Sequence, residues 1–125
     1  MSSLVCYNPD QVAGKALCRL LKKRDLKPIY QDNWEEIIED VRFGTPGVLV
    51  LDLGSLAEIA ARVREVQDVI HVGDPIPIIM LTPFASDEVE MQPFHEFGYL
   101  ILEKPVAIEK LVDAINRSVI GGTQP

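Results

Sequence analysis

The sequence predicts an α/β domain in which a parallel five-stranded sheet lies between two layers of helices, a three-layer sandwich. Three observations carry that prediction. Short apolar runs alternate with helix-patterned segments five times along 125 residues. The runs are apolar at successive positions, as strands covered on both faces must be. Each is followed by a turn and then by apolar residues at three- and four-residue spacing. Repeated βα units of this kind build parallel sheets with right-handed crossovers, which sort the helices onto both faces.

Leu4 to Tyr7 is the first run, ended by the turn cluster Asn8-Pro9-Asp10. Val12, Ala13, Ala16, Leu17, Leu20 and Leu21 then form a helical stripe, with Asp10 as N-cap. Lys22, Lys23 and Arg24 close that helix where its dipole favours cations. Pro28 to Tyr30 is a weaker second strand. Asn33 with Glu36 is a variant capping box, followed by the stripe Trp34, Ile37, Ile38 and Val41. Gly44-Thr45-Pro46-Gly47 stops that helix. Val48 to Leu51 is the third strand and runs straight into Asp52. Ser55-x-x-Glu58 is a fuller capping box, so the third helix is expected to start at Leu56 and to reach about Ile70. Gly73-Asp74-Pro75 is a break before the fourth strand, Ile76 to Leu81. Residues 86–98 are ambiguous in pattern, and Pro93 is expected to interrupt or shorten any fourth helix there. Tyr99 to Leu102 is the fifth strand. Ile108, Leu111, Val112, Ile115 and Val119 form the last helical face, which Gly121-Gly122 ends. The domain is therefore read as residues 1–121, with 122–125 a tail or the start of a linker.

A chain of 125 residues with 47% hydrophobic residues can bury a sizeable core. Its net charge of −7 argues against direct nucleic-acid binding and against adhesion to acidic membranes. No apolar run approaches the roughly 18 residues of a membrane helix, and Met1-Ser2-Ser3 lacks a basic signal-peptide start. A cytoplasmic location is the expectation. Cys6 and Cys18 form neither a CxxC nor a zinc pattern and read as buried free thiols.

In doubly wound sheets, functional groups gather beyond the carboxyl ends of the strands. Asn8, Pro9 and Asp10 follow the first strand, Asp52 the third, Thr82 the fourth, and Glu103, Lys104 and Pro105 the fifth. A carboxylate can act as a nucleophile toward phosphorus. A lysine offers compact positive charge to a phosphoryl oxygen, and a threonine offers a hydrogen bond. A plain Asp52–Lys104 ion pair would use the same residues, so chemistry alone leaves both readings open.

Asp52, Thr82 and Lys104-Pro105 end three successive strands at intervals of 30 and 22 residues. This pattern resembles the receiver domain of two-component response regulators, over essentially the whole chain. The resemblance implies a flavodoxin-like, doubly wound (βα)5 fold with strand order 2-1-3-4-5. It implies that Asp52 is the phosphoacceptor and that Thr82, Lys104 and Pro105 are the phosphate-binding and switch residues. It implies a signalling module rather than an enzyme, with Mg²⁺ as cofactor and a histidine kinase or phosphotransfer protein as phosphodonor. It also implies a partner face made by the fourth helix, fifth strand and fifth helix, where Tyr99, Ile101 and the Met91–Phe97 stretch fall.

The departures from the family are specific. Asn8 and Pro9 stand where receivers carry an acidic pair that holds Mg²⁺. The remaining candidate ligands are Asn8 through its carbonyl, Asp10, Asp52 and the Gly54 backbone, which predicts weak or absent Mg²⁺ binding. Ser55-Leu56 and Ala60 replace the usual residues after the aspartate, and Pro83 follows Thr82. Ile101 takes the place of the switch aromatic, and Tyr99, two residues away on the same strand face, is the candidate substitute. The expectation is a receiver with a degenerate acidic pocket, docking a target protein or a second copy independently of phosphorylation at Asp52.

Two other readings compete. Gly14-Lys15 is reminiscent of a phosphate-binding loop but lacks its first glycine and final hydroxyl residue. A phosphatase-like enzyme of the haloacid-dehalogenase kind would need a second aspartate where Gly54 stands. His71 and His95 lack metal-ligand neighbours. Met91, Phe94 and Phe97 read as core or as a partner patch.

Overall fold

The computed structural model describes residues 3–44, 46–54, 56–70, 76–84, 91–92, 94–95 and 98–123. Five strands, β1 (Ser3–Tyr7), β2 (Pro28–Gln31), β3 (Pro46–Asp52), β4 (Ile78–Thr82) and β5 (Leu100–Glu103), form one sheet in the order β2-β1-β3-β4-β5. All four pairings are parallel. The order and direction are those expected from repeated βα units with right-handed crossovers.

Four helices are continuous: α1 (Gln11–Lys22), α2 (Trp34–Arg42), α3 (Leu56–Val69) and α4 (Ile108–Thr123). The fourth helical segment of the sequence reading lies mostly outside the described residues, as do Ser55, His71, Pro93 and Phe97. Asp10 caps α1 by accepting the Ala13 N–H at 3.2 Å. Asn33 caps α2 by accepting from Glu35 and Glu36 N–H at 2.9 and 3.3 Å. Both caps satisfy donors that a helix start leaves unpaired. The bounds of α3 match the expected Leu56 start.

The core is divided by the sheet. Val5, Leu49, Leu51, Ile78 and Met80 pack against Trp34, Ile37 and Val41 of α2 and Ile59, Val63 and Val66 of α3. Cys6, Val48, Val50, Ile79 and Leu81 pack against Cys18 and Leu21 of α1 and Leu111, Ala114 and Ile115 of α4. First and last helices thus share one face and the middle helices the other, as the doubly wound pattern requires. Both cysteines are free and buried. A hydrogen bond between the two thiols, together with burial, pushes Cys6 well above the usual thiol range.

Two sequence expectations need correction. The buried stripe of α1 is Gly14, Cys18 and Leu21, with Leu17 beside it, whereas Val12 is 80% and Leu20 42% exposed. Apolarity alone mis-set the helix rotation because it counted Gly14 as no contribution to the buried face. Gly121 and Gly122 do not end the last helix, which continues to Thr123. Glycine lowers helix stability by roughly 1 kcal/mol without forbidding the conformation.

Candidate functional site

Register brings the strand ends together. Asp52, the last residue of β3, pairs with Leu81, and Thr82 pairs with Glu103. The Thr82 carbonyl accepts the Lys104 N–H at 3.0 Å, which extends the β4–β5 ladder by one residue. Lys104 therefore leaves the sheet beside Asp52. Its Nζ lies 2.7 Å from Asp52 Oδ1. The Asp52 side chain is 15% exposed and that of Lys104 39%. A pair this open to solvent contributes about 1 kcal/mol or less to stability, so its interest is chemical. The Lys104–Pro105 peptide is cis.

The second Asp52 oxygen is also occupied. Asn8 Nδ2 donates to Asp52 Oδ2 at 3.3 Å. The Asn8 carbonyl Oδ1 meanwhile accepts the Asp10 N–H at 2.9 Å. Asn8 is 8% exposed, just past β1. The carbonyl that the sequence reading offered to a metal is thus engaged elsewhere, and Asn8 faces Asp52 with its donor end. Asp10 is likewise committed, as the α1 N-cap. Gly54 is exposed beyond the end of β3.

Mg²⁺ selects near-octahedral oxygen ligands, with carboxylates supplying the charge. The donor set here does not fit it. Asp52 is flanked by an ammonium and an amide N–H, hydrogen-bond donors rather than the oxygen ligands this ion selects.

Thr82 is fully buried at the end of β4, and its Oγ1 accepts the Phe84 N–H at 3.1 Å. Gly14 and Lys15 lie inside α1 rather than in a loop, which removes the geometry a phosphate-binding loop needs. His95 is exposed.

Tyr99 precedes β5 and shares the α2/α3-side core with Ile101, as alternation predicts. It is 7% exposed and its hydroxyl is hydrogen-bonded to Gln67 of α3. Met91 and Phe94 are buried in the same core. These three side chains are therefore buried in the core on the α2/α3 side of the sheet rather than exposed to a partner. Burial pushes the Tyr99 phenol above its usual range, and the bond from Gln67 offsets part of that. Above about pH 10 an unfolded phenol loses its proton while the folded one retains it. This share of stability is complete below that pH and falls as pH rises toward the folded value. Tyr99→Phe is expected to flatten the alkaline limb, read as urea midpoints on either side of that pH. An equally steep limb in the variant would count against the buried phenol as its source.

Sequence reasoning missed Tyr30 and Gln31 at the end of β2. Tyr30 OH donates to the Asn8 main-chain carbonyl at 2.7 Å, and the Gln31 carbonyl accepts the Asn8 N–H at 3.2 Å. The available signal was Gly14, a glycine inside a helix, which often marks a close approach of another group.

No protein-family model matches the chain, and no curated protein matches it in sequence. Solved structures do match in fold. A two-component response regulator from Clostridium difficile is 16% identical with a TM-score of 0.77, covering 99% of this chain and 100% of its own. A pilus assembly-related protein from Burkholderia pseudomallei is 17% identical with a TM-score of 0.71, covering 99% and 93%. The beryllofluoride-activated NtrC receiver domain is 20% identical with a TM-score of 0.70, covering 99% and 98%. At such identities the likeness speaks for architecture and not for activity. The chain has the fold of response-regulator receiver domains.

Proposed function

We propose that the chain is a receiver-type signalling domain that works as a protein-docking module rather than an enzyme, its Asp52 pocket held by its own residues. The observation that carries this is the engagement of both Asp52 oxygens, one by the Lys104 ammonium and one by the Asn8 amide. Phosphoryl transfer to a carboxylate relies on a cation to offset charge on the transferred group. Asn8 and Pro9 supply no negative charge to hold one. On this reading Asp52 keeps the phosphoacceptor position, with Thr82, Lys104 and Pro105 around it, and Mg²⁺-dependent phosphorylation is weak or absent. A histidine kinase or phosphotransfer protein would be a partner of a phosphorylated form alone.

The docking surface is centred on β5. It is an edge strand with Leu100 39% exposed. Beside it lies a cleft of about 450 Å³ lined by residues 101–107 and Lys110. An exposed strand edge can accept a strand from a target protein or a second copy. Among the described residues no helix is long and apolar enough to cross a membrane. A cytoplasmic setting without nucleic-acid or membrane contact suits the net charge of −7.

The test has two parts. Intact mass is measured after exposure to acetyl phosphate and Mg²⁺; no phosphate on the wild type is expected. Self-association is measured by sedimentation for wild type, Asp52→Asn and Leu100→Lys. Association is expected to survive Asp52→Asn and to weaken in Leu100→Lys. Phosphate on the wild type that Asp52→Asn abolishes, with association lost in the same variant, would return the chain to ordinary phospho-receivers.

A further inference from the structure

Asn8 is where three elements meet, and each of its polar groups has a partner. Its N–H donates to the Gln31 carbonyl at 3.2 Å, and its carbonyl accepts from Tyr30 OH at 2.7 Å. Its Oδ1 accepts from Asp10 N–H at 2.9 Å, and its Nδ2 donates to Asp52 Oδ2 at 3.3 Å. The backbone amide of Asp10 can only donate, so the side-chain atom facing it must be the carbonyl oxygen. That sets which end of the amide faces Asp52. Rotating it by half a turn would put two donors together at Asp10 and set an acceptor against a carboxylate.

Nor can the Asn8 main chain readily shift to escape this arrangement, because β2 holds it on both sides. Tyr30 reaches it only because residue 14 is glycine. A Cβ there would lie 2.2 Å from Tyr30 Cε1 and 3.0 Å from Cδ1 and Cζ. The ring lies over the first turn of α1, where any larger residue at position 14 would collide with it.

We propose that Asn8, pinned by Tyr30 across Gly14, takes the place of a cation at Asp52, closing the pocket to divalent metal ions and tying Asp52 to the edge strand β2. The inference rests on the reading of Asp52 as the central carboxylate of the pocket. A divalent ion approaching Asp52 must displace a hydrogen-bond donor whose alternative orientation is blocked. The pocket is complete with one ammonium and one neutral amide. The same wiring makes Tyr30 a positioning residue: its hydroxyl sets the angle at which the Asn8 amide meets the carboxylate, without touching it.

The test follows Mn²⁺ titrations of the full chain by paramagnetic broadening of backbone amides, together with the Asn8 side-chain NH₂ resonances. In the wild type, amides at residues 7, 8 and 52 are expected to show no saturable broadening at millimolar Mn²⁺. Asn8→Asp exchanges the donor for a carboxylate and is expected to give saturable broadening centred on residues 8 and 52, with apparent affinity on the order of tenfold higher or more. Tyr30→Phe keeps the ring and removes the hydroxyl; the Asn8 NH₂ signals are expected to move toward free-amide values. Wild-type binding at Asp52 equal to that of Asn8→Asp overturns the proposal. So does a folded Asn8→Asp that binds no Mn²⁺, or an Asn8 NH₂ pair unmoved by Tyr30→Phe. Should Asn8→Asp fail to fold, the wild-type titration and Tyr30→Phe decide. Loss of docking with Mn²⁺ exclusion intact counts against the docking reading alone.

Discussion

Trp34→Ala is expected to lower folding stability by about 3–5 kcal/mol, the range for truncating a buried large aromatic. Trp34 is 7% exposed and opens α2 immediately after the Asn33 cap. Its ring meets Tyr7 edge-on, with centroids 5.1 Å apart and planes at 70°. Arg62 of α3 lies 5.0 Å over the ring centroid, and the indole N–H donates to Glu65 at 2.6 Å. One side chain thus joins β1, α2 and α3, and its removal leaves a cavity where those elements meet. Trp34→Phe keeps a six-membered aromatic ring but loses part of the buried indole and its N–H, whose acceptor Glu65 is 48% exposed and can turn to water. That variant is expected to cost about 1–2 kcal/mol. Urea unfolding reads both, as a shift of midpoint at constant slope. A loss below about 1 kcal/mol for Trp34→Ala would mean that α2 is held by other contacts.

Leu111→Ala is expected to cost about 2–5 kcal/mol through the other helical layer. Leu111 has no exposed surface and packs in the core shared by α1, α4 and the sheet. The Arg24–Glu109 pair at 2.6 Å links the turn after α1 to the first turn of α4, but its side chains are 38% and 70% exposed. It cannot compensate for lost burial, since exposed pairs contribute little. Because the sheet separates residues 34 and 111, the losses of Leu111→Ala and Trp34→Phe are expected to add within about 0.5 kcal/mol. A larger coupling would show that the sheet transmits repacking from one layer to the other.

Much of the architecture could be read from residue pattern. Val48 to Leu51 alternate between the two cores, so a run apolar at every position announced a strand covered on both faces. Asp52 and Lys104 were legible because strand ends in parallel sheets converge on one edge, and a charge closing an apolar run stands out. The Asn8 donor role was not legible. It depends on which end of an amide faces Asp52, and that is decided by a backbone N–H two residues away. Tyr30 was hidden because its reach to Asn8 depends on the β1–β2 register, in which Cys6 pairs with Tyr30. Tyr99 was placed on the correct face by alternation, but its burial depends on how α3 lies over it, and local pattern does not encode that packing.

Gly14 sets two optimisation criteria against each other at one backbone position. Judged as part of a helix, it is a defect: alanine would be favoured there by roughly 1 kcal/mol, and a stability-engineering scan confined to α1 would select it. Judged as part of the pocket, the missing methyl is the space in which the Tyr30 ring lies. A change that improves the helix in isolation would therefore alter the polarity presented to a carboxylate at the end of β3, a strand that α1 does not lead into directly. In this domain, thermostability design and pocket chemistry cannot be treated as separable tasks at residue 14.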